Sequence, residues 1–182
     1  MIPRYLYFLV EGWHDKRFVE QVVRTRIPAD FEDAIVYEYA QNEPTHVRKL
    51  VLWLQSKANE YLFLCDLNRS PCVSDRKRRI RERFSCINEE RIVVVARSIE
   101  AWYVAGLDEA AAQRLRLGLP ACTDDFDKQK FDRMIEEAGF DSRTDFIEEI
   151  LKGYDWQGAI ERNRSLKYLA RKLRSLGHEA GR

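Results

Sequence analysis

The chain reads as an α/β protein: a mostly parallel four-stranded sheet flanked by helices, with a C-terminal helical appendage. Three observations predict this. Apolar runs of strand length at Tyr5 to Val10, Ala34 to Ala40, Tyr61 to Cys65 and Ile92 to Val95 alternate with segments of helical spacing. The connections between them are short, and a β-α-β-α-β-α-β-α order of this kind closes as a parallel sheet covered by helices on both faces. From Leu107 onward the strand signals cease and only helical patterns remain. The expected division is therefore an α/β domain over 1–107 and a helical extension over 108–182, packed on it.

Tyr5 to Val10 is aromatic and aliphatic throughout, as expected of a strand buried on both faces. Gly12 permits a turn, and Phe18, Val19, Val22 and Val23 then recur at helical spacing over Asp15 to Arg26. The run AIVYEYA is less apolar and carries Glu38, which places it near an edge of the sheet. Pro44 suits a first helical turn, where its missing N–H costs nothing, and Val47, Leu50, Val51 and Leu54 continue one apolar face. Asp75 to Phe84 reads as a short basic helix between the third and fourth strands, and Ser98 as the cap of a helix running through Trp102 and Tyr103. In the extension, 108–117, 126–138, 144–153 and 157–176 read as helical. Trp13, Trp53, Trp102 and Trp156 are scattered, which suits packing better than base stacking.

At 182 residues, with 45% hydrophobic and 34% charged residues, the chain can bury a sizeable core under a charged surface. Its net charge of +1 argues neither for nor against nucleic acid, so attraction to phosphate must come from local patches. Cys65, Cys72, Cys86 and Cys122 lack the close pairing of a zinc site, and Cys65, in an apolar strand, reads as a small buried hydrophobe. No stretch approaches the roughly 20 apolar residues that span a bilayer. A reduced, cytoplasmic setting is the expectation.

Three of the strands end at acids: Glu11 before Gly12, Asp66, and the Arg97-Ser98-Ile99-Glu100 segment after Val95. Parallel strands share their carboxyl edge, which is where open α/β sheets place ligands. Carboxylates gathered there resist joint ionisation unless a cation neutralises them. Oxygen-only sets suit magnesium or manganese, with waters and a substrate phosphate completing the shell. Glu11 is a candidate metal ligand or general base, with a helix-dipole acid as the alternative; Asp15, a turn later, reads as a helix-start residue. Asp66 is the first polar group after a buried strand, and Asn68 lies on the same side of the chain. Glu100 suits a first helical turn and is also a third candidate ligand. The run containing Arg76, Lys77 and Arg79 is the densest positive patch and, beginning ten residues after Asp66, is a candidate nucleic-acid-binding segment near the metal edge, with a solvated helix face as the alternative. Arg164, Lys167, Arg171 and Arg174 form a cationic stripe on the last helix, opposite Leu166, Leu169, Leu173 and Leu176, a geometry able to track a phosphate backbone.

The segments FLVEGWHD at 8–15, FLCDLN at 63–68 and VVVARSIEAWYVAG at 93–106 resemble the signature elements of Toprim domains, whose fold is Rossmann-like. The likeness is to the overcoming-lysogenisation-defect nucleases and to small stand-alone Toprim-like bacterial proteins, and a weaker one extends through RNRSLKYLARKL at 162–173. The resemblance implies that Glu11 is a general base or metal-organising acid and that Asp66 ligates magnesium. It places Ser98 and Glu100 in the same metal region and gives Lys167 the holding of substrate phosphate or transition-state charge. It implies a magnesium-dependent nuclease of phage defence or DNA repair, acting on DNA or RNA, with a partner protein encoded nearby. At position 68 the usual second aspartate is Asn68, which offers a neutral oxygen and one negative charge fewer. That departure motivates an alternative, a non-catalytic nucleic-acid- or partner-binding subunit on the same scaffold. A phospho-aspartate switch is a third reading, and it requires a fifth strand ending in lysine.

Overall fold

A computed structural model of the chain describes residues 3–57 and 59–179. The strands are β1 (Tyr5–Val10), β2 (Asp33–Glu38), β3 (Glu60–Asp66) and β4 (Ile92–Val95), and every pairing is parallel. Their order in the sheet is β2-β1-β3-β4. The more polar β2 is an edge strand, while β1 and β3, the most apolar runs, occupy the centre. The register sets Leu6 beside Glu60, Leu9 beside Phe63, and Asp66 beside Val95.

Strand order determines where the helices lie. The chain leaves β1 for β2 on one side and then returns past β1 to β3 and β4 on the other. Right-handed crossovers running in opposite directions put their helices on opposite faces. The first crossover carries α1 (Trp13–Phe18), extended by a π-helical segment Val19–Val23 and a 3₁₀ turn Arg24–Arg26. Phe18, Val19, Val22 and Val23 are all buried. The later crossovers carry α2 (Pro44–Ser56), with Pro44 in its first turn, and α3 (Val73–Phe84). Val47, Val51 and Leu54 of α2 and Ile80 and Phe84 of α3 share one core cluster with Leu9, Phe63 and Cys65. Tyr39 stacks on Phe63 in that cluster, with ring centroids 4.3 Å apart. Of the tryptophans, Trp102 is fully buried, whereas Trp13 and Trp53 are about half exposed.

The chain divides into two units, one of residues 1–95 with 171–182 and the other of residues 96–170. The division follows Val95, ahead of the expected boundary after residue 107. The reason is that α4 (Glu100–Ala105) packs against α6 (Lys128–Glu137), α7 (Arg143–Leu151) and α8 (Trp156–Arg162), and so belongs with the helices that follow it. Within this second unit, which also contains α5 (Glu109–Leu115), the Tyr154 hydroxyl donates to Trp102 O at 2.7 Å. The Tyr154 ring lies so close to Gly106 that a Cβ there would overlap it.

The helix expected over 157–176 is two helices, α8 and α9 (Arg164–Glu179). Asn163 between them is extended and fully buried. Its Oδ1 accepts from the Leu166 N–H at 3.0 Å and the Ser165 hydroxyl at 2.7 Å, and its Nδ2 donates to Thr123 Oγ1 at 3.0 Å. It therefore caps α9 while closing a buried polar network. α9 crosses the boundary between the units after Ala170.

Candidate functional site

Because the connection from β1 runs one way and that from β3 the other, the crevice beyond these two neighbouring strands is a topological switch point, the usual ligand position in open α/β sheets. Glu11 follows β1 and Asp66 ends β3, so the crevice is flanked by these two acids.

Glu11 is about one-third exposed, whereas Asp66 is buried. Glu11 Oε2 accepts from the Asp66 N–H at 3.3 Å, and Oε1 accepts from Asn68 Nδ2 at 3.3 Å. Arg76, on α3, approaches Glu11 Oε2 with Nη2 at 3.4 Å. All of these contacts are at the long end of hydrogen bonding. Asn68 is exposed and sits at φ 50°, a left-handed conformation that asparagine tolerates better than most residues. Gly12 donates its N–H to Asp15 Oδ2 at 3.2 Å, so Asp15 serves the amino end of α1, as its position implies.

Behind the acids lies a buried polar layer. Burial pushes the Cys65 thiol up to about 12, partly opposed by the Arg76 guanidinium beside it. Burial likewise raises the Tyr39 phenol, with Cys65 and Glu11 adding to the effect. The Tyr39 hydroxyl and Arg76 Nε are buried, and neither has a hydrogen-bond partner among the described residues. Tyr39 has no signal in the sequence beyond following β2; its role depends on β2 lying beside β1.

Glu100 and Ser98 belong to the helical unit. Glu100 is 1% exposed, and Arg143 Nη1 donates to its Oε1 at 2.8 Å; Arg143 also pairs with Asp132. Glu100 Oε2 has no hydrogen-bond partner among the described residues. Ser98 corrects an expectation: Ile99 occupies the cap position of α4, and the Ser98 hydroxyl makes no capping bond. Its backbone carbonyl accepts from Ala101 N instead, because Arg97 at φ 64° turns the chain before the helix begins.

The basic segments divide by how their charge is used. Arg76 is 16% exposed and turned toward Glu11. Arg79 pairs with Asp75 at 2.7 Å, Arg78 with both Asp75 and Glu82, and Lys77 Nζ donates to Glu89 O at 3.3 Å. On α9, Arg164 pairs with Asp124 at 3.0 Å, while Lys167 and Arg171 are exposed. Leu166, Leu169, Leu173 and Leu176 of that helix are buried.

Glu11 and Asp66 are carboxylates, the donor type that a hard divalent cation takes, whereas Asn68 turns its Nδ2 rather than its Oδ1 toward Glu11. Among the described residues no three or more His, Cys, Asp or Glu side chains gather into a metal-holding group. Magnesium typically takes only one or two carboxylates from a protein and completes its shell with water and substrate phosphate. Among the described residues no helix is long and apolar enough to cross a membrane. The chain matches no protein-family model, no curated protein and no solved structure.

Proposed function

We propose that the protein is a magnesium- or manganese-dependent phosphodiester hydrolase of the Toprim type, acting on nucleic acid. The observation that carries this reading is the placement of Glu11 and Asp66 on adjacent central strands at the switch-point crevice, with Glu11 Oε2 3.3 Å from the Asp66 N–H. Glu11 and Asp66 would hold the cation, which when bound supplies Lewis-acid polarisation of the phosphate and a more acidic water. The protein's own part is electrostatic and positional. The Asp66 and Asn68 donors fix the Glu11 carboxylate, and its partial exposure leaves it able to take a proton from an entering water. Lys167 and Arg171, exposed on α9, are cations available to a phosphate backbone. The likeness of FLVEGWHD and FLCDLN to Toprim signatures supports the same reading.

Incubation of the purified protein with plasmid DNA and with RNA, in magnesium or manganese, tests it. Cleavage lost in Glu11→Gln is expected, and no cleavage of either substrate by the wild type removes the proposal.

A second reading, a nucleic-acid- or partner-binding subunit without catalysis, is favoured by one observation: Arg76 already neutralises Glu11, and Asn68 removes a charge. Nucleic-acid binding with no calorimetric response to magnesium would establish it. The phospho-aspartate reading finds no support, since the sheet among the described residues has four strands and no fifth ending in lysine.

A further inference from the structure

We infer that the protein has a second ligand site, at the amino edge of the sheet, where Arg4, Asn59, Tyr61 and Asn88 take a phosphate monoester of mononucleotide size. A cavity of about 490 Å³ opens between them, and Gln55, Glu60 and Arg91 complete its wall. All of these residues belong to the first unit. Its volume falls within the roughly 300–1,000 Å³ of small-molecule sites. Glu60 and Asp66 are opposite ends of β3, a seven-residue strand roughly 20 Å long, so the cavity is remote from the Glu11 and Asp66 crevice.

The wall is rich in donors that the chain leaves unused. Arg4 directly precedes β1, and its guanidinium carbon lies 5.0 Å from the ring centroid of the buried Phe31. That contact holds the side chain, while its N–H groups meet no acceptor among the described residues. Tyr61 is 3% exposed, and its hydroxyl oxygen accepts the Asn88 N–H at 3.1 Å. The phenol hydrogen finds no acceptor among the described residues, and a buried hydroxyl left this way calls for one. Asn88 Oδ1 accepts from the Glu90 N–H at 3.0 Å, capping the 3₁₀ turn Glu89–Arg91, which leaves Nδ2 to donate.

Charge selects an anion for these donors. The carboxylate in the wall, Glu60, is paired with Arg91 at 2.7 Å, whereas Arg4 has no acidic partner among the described residues. The terminal oxygens of a phosphate monoester suit a guanidinium fork with a phenol and an amide donor beside it.

An oxyanion alone does not fill the volume, and the rest of the wall is amide. Asn59 carries both a donor and an acceptor without partners among the described residues. Gln55 Nε2 donates to Cys86 O at 3.3 Å and leaves its Oε1 to accept. Adjacent donor and acceptor groups of this kind match a nucleobase edge. A free nucleoside monophosphate and the 5′-phosphorylated end of a strand share this chemistry.

Calorimetric titration of the full-length chain in EDTA tests the site. The probes are inorganic phosphate, the common ribonucleosides, their 5′-monophosphates and a short 5′-phosphorylated oligonucleotide. A monophosphate or the oligonucleotide is expected to bind with a Kd below about 1 mM. Phosphate and the nucleosides are expected to bind at least about tenfold more weakly, and Arg4→Gln to weaken the binding at least about tenfold. Arg4→Lys, which keeps the charge without the fork, is expected to fall between, and Glu11→Gln to bind as the wild type does. Tighter Arg4-dependent binding of the oligonucleotide assigns the site to a strand end, and tighter binding of a monophosphate to a free nucleotide. No binding of either at about 1 mM overturns the inference. So does an affinity unchanged in Arg4→Gln, phosphate bound as tightly as every monophosphate, or an affinity lost in Glu11→Gln, which moves the ligand to the crevice. The hydrolase reading stands or falls independently of these outcomes.

Discussion

The Glu11 carboxylate accepts a hydrogen bond from the backbone N–H of Asp66 at 3.3 Å, joining residues 55 positions apart. Glu11 therefore has two duties, anchoring the end of β3 and carrying charge at the crevice, and the two can be separated. Glu11→Gln keeps an acceptor for the Asp66 N–H but removes the charge. Stability is expected to change by less than about 1 kcal/mol in urea denaturation. Metal-dependent cleavage is expected to fall by about two orders of magnitude or more, the scale of a lost general base. A loss of activity that tracks a loss of fold would assign Glu11 to structure alone.

Arg143 pairs with Glu100 in the helical unit, with the carboxylate 1% exposed and the guanidinium 29% exposed. Arg143→Ala strands a buried negative charge, and a loss of about 3 kcal/mol is expected, the lower end for such a truncation because the arginine is partly solvated. Arg143→Ala combined with Glu100→Gln should recover a substantial part of that loss. Chemical denaturation of the single and double variants gives the coupling directly. Additive losses would show that the pair is not coupled.

How much was legible in the sequence follows from how local each signal is. Strands buried on both faces declare themselves as unbroken apolar runs, so YLYFLV and YLFLC read correctly, and Glu38 marked β2 as an edge. The strand order, and with it the switch point between β1 and β3, depends on long-range pairing that leaves no local trace. The same limit hides Arg143, which lies 43 positions from Glu100, and Tyr39, which reaches the site only through sheet order. Ser98 misled because its residue type suits a cap while the turn at Arg97 moves the helix start past it. The break at Asn163 was overridden by the leucine periodicity on either side. Arg76 reads only as one of a basic run near the Asp66 edge, because sequence gives no sign of which member of a charged helix turns inward.

The four cysteines should separate by reactivity. Cys72 and Cys122 are exposed, whereas Cys65 is buried with its thiol pushed from the ordinary 9.0 up to about 12 by burial. A disulfide reagent at pH 8 is expected to modify Cys72 and Cys122 rapidly and Cys65 only on unfolding. The pH dependence has a definite sign. Below pH 9 the Cys65 thiol is protonated in both states; above it the unfolded chain ionises while the folded chain does not. Stability is therefore lost as the pH rises from about 9 toward 12. Cys65→Ser should remove the thiol component of that decline. A midpoint unchanged over this window in both proteins would refute the burial argument.

Exposed charge on α9 and paired charge on α3 should contribute differently to nucleic-acid binding. Arg79 is held by Asp75 at 2.7 Å, whose carboxyl is kept below its usual range by Arg78 first and then Arg79, so releasing Arg79 to a phosphate forfeits an existing ion pair. Lys167 and Arg171 are exposed on α9. Lys167→Ala and Arg171→Ala are each expected to lower the salt dependence of binding by about 0.7 to 0.9 in log–log slope, the release of one counterion, whereas Arg79→Ala changes it by less. Fluorescence anisotropy on single- and double-stranded oligonucleotides over a range of salt concentrations measures all three. Equal slopes for Arg79→Ala and Arg171→Ala would mean that the α3 ion pairs open on binding and that the basic run acts as a phosphate surface after all.

Asn163 carries the last prediction, since one side chain both caps α9 and satisfies a buried threonine. Asn163→Ala removes the acceptor for the Leu166 N–H and the donor to Thr123 Oγ1, leaving Thr123, which is fully buried, without that bond. A lost cap costs about 1 kcal/mol and a stranded buried hydroxyl about 1 to 3 kcal/mol, so a loss of about 2 to 4 kcal/mol is expected. Asn163→Asp keeps the cap but turns a donor into an acceptor facing Thr123, whose hydroxyl can rotate to donate in return. It should therefore be milder than alanine. Thermal denaturation of the two variants ranks them, and a milder loss for alanine would show that burying charge at this position outweighs the value of the cap.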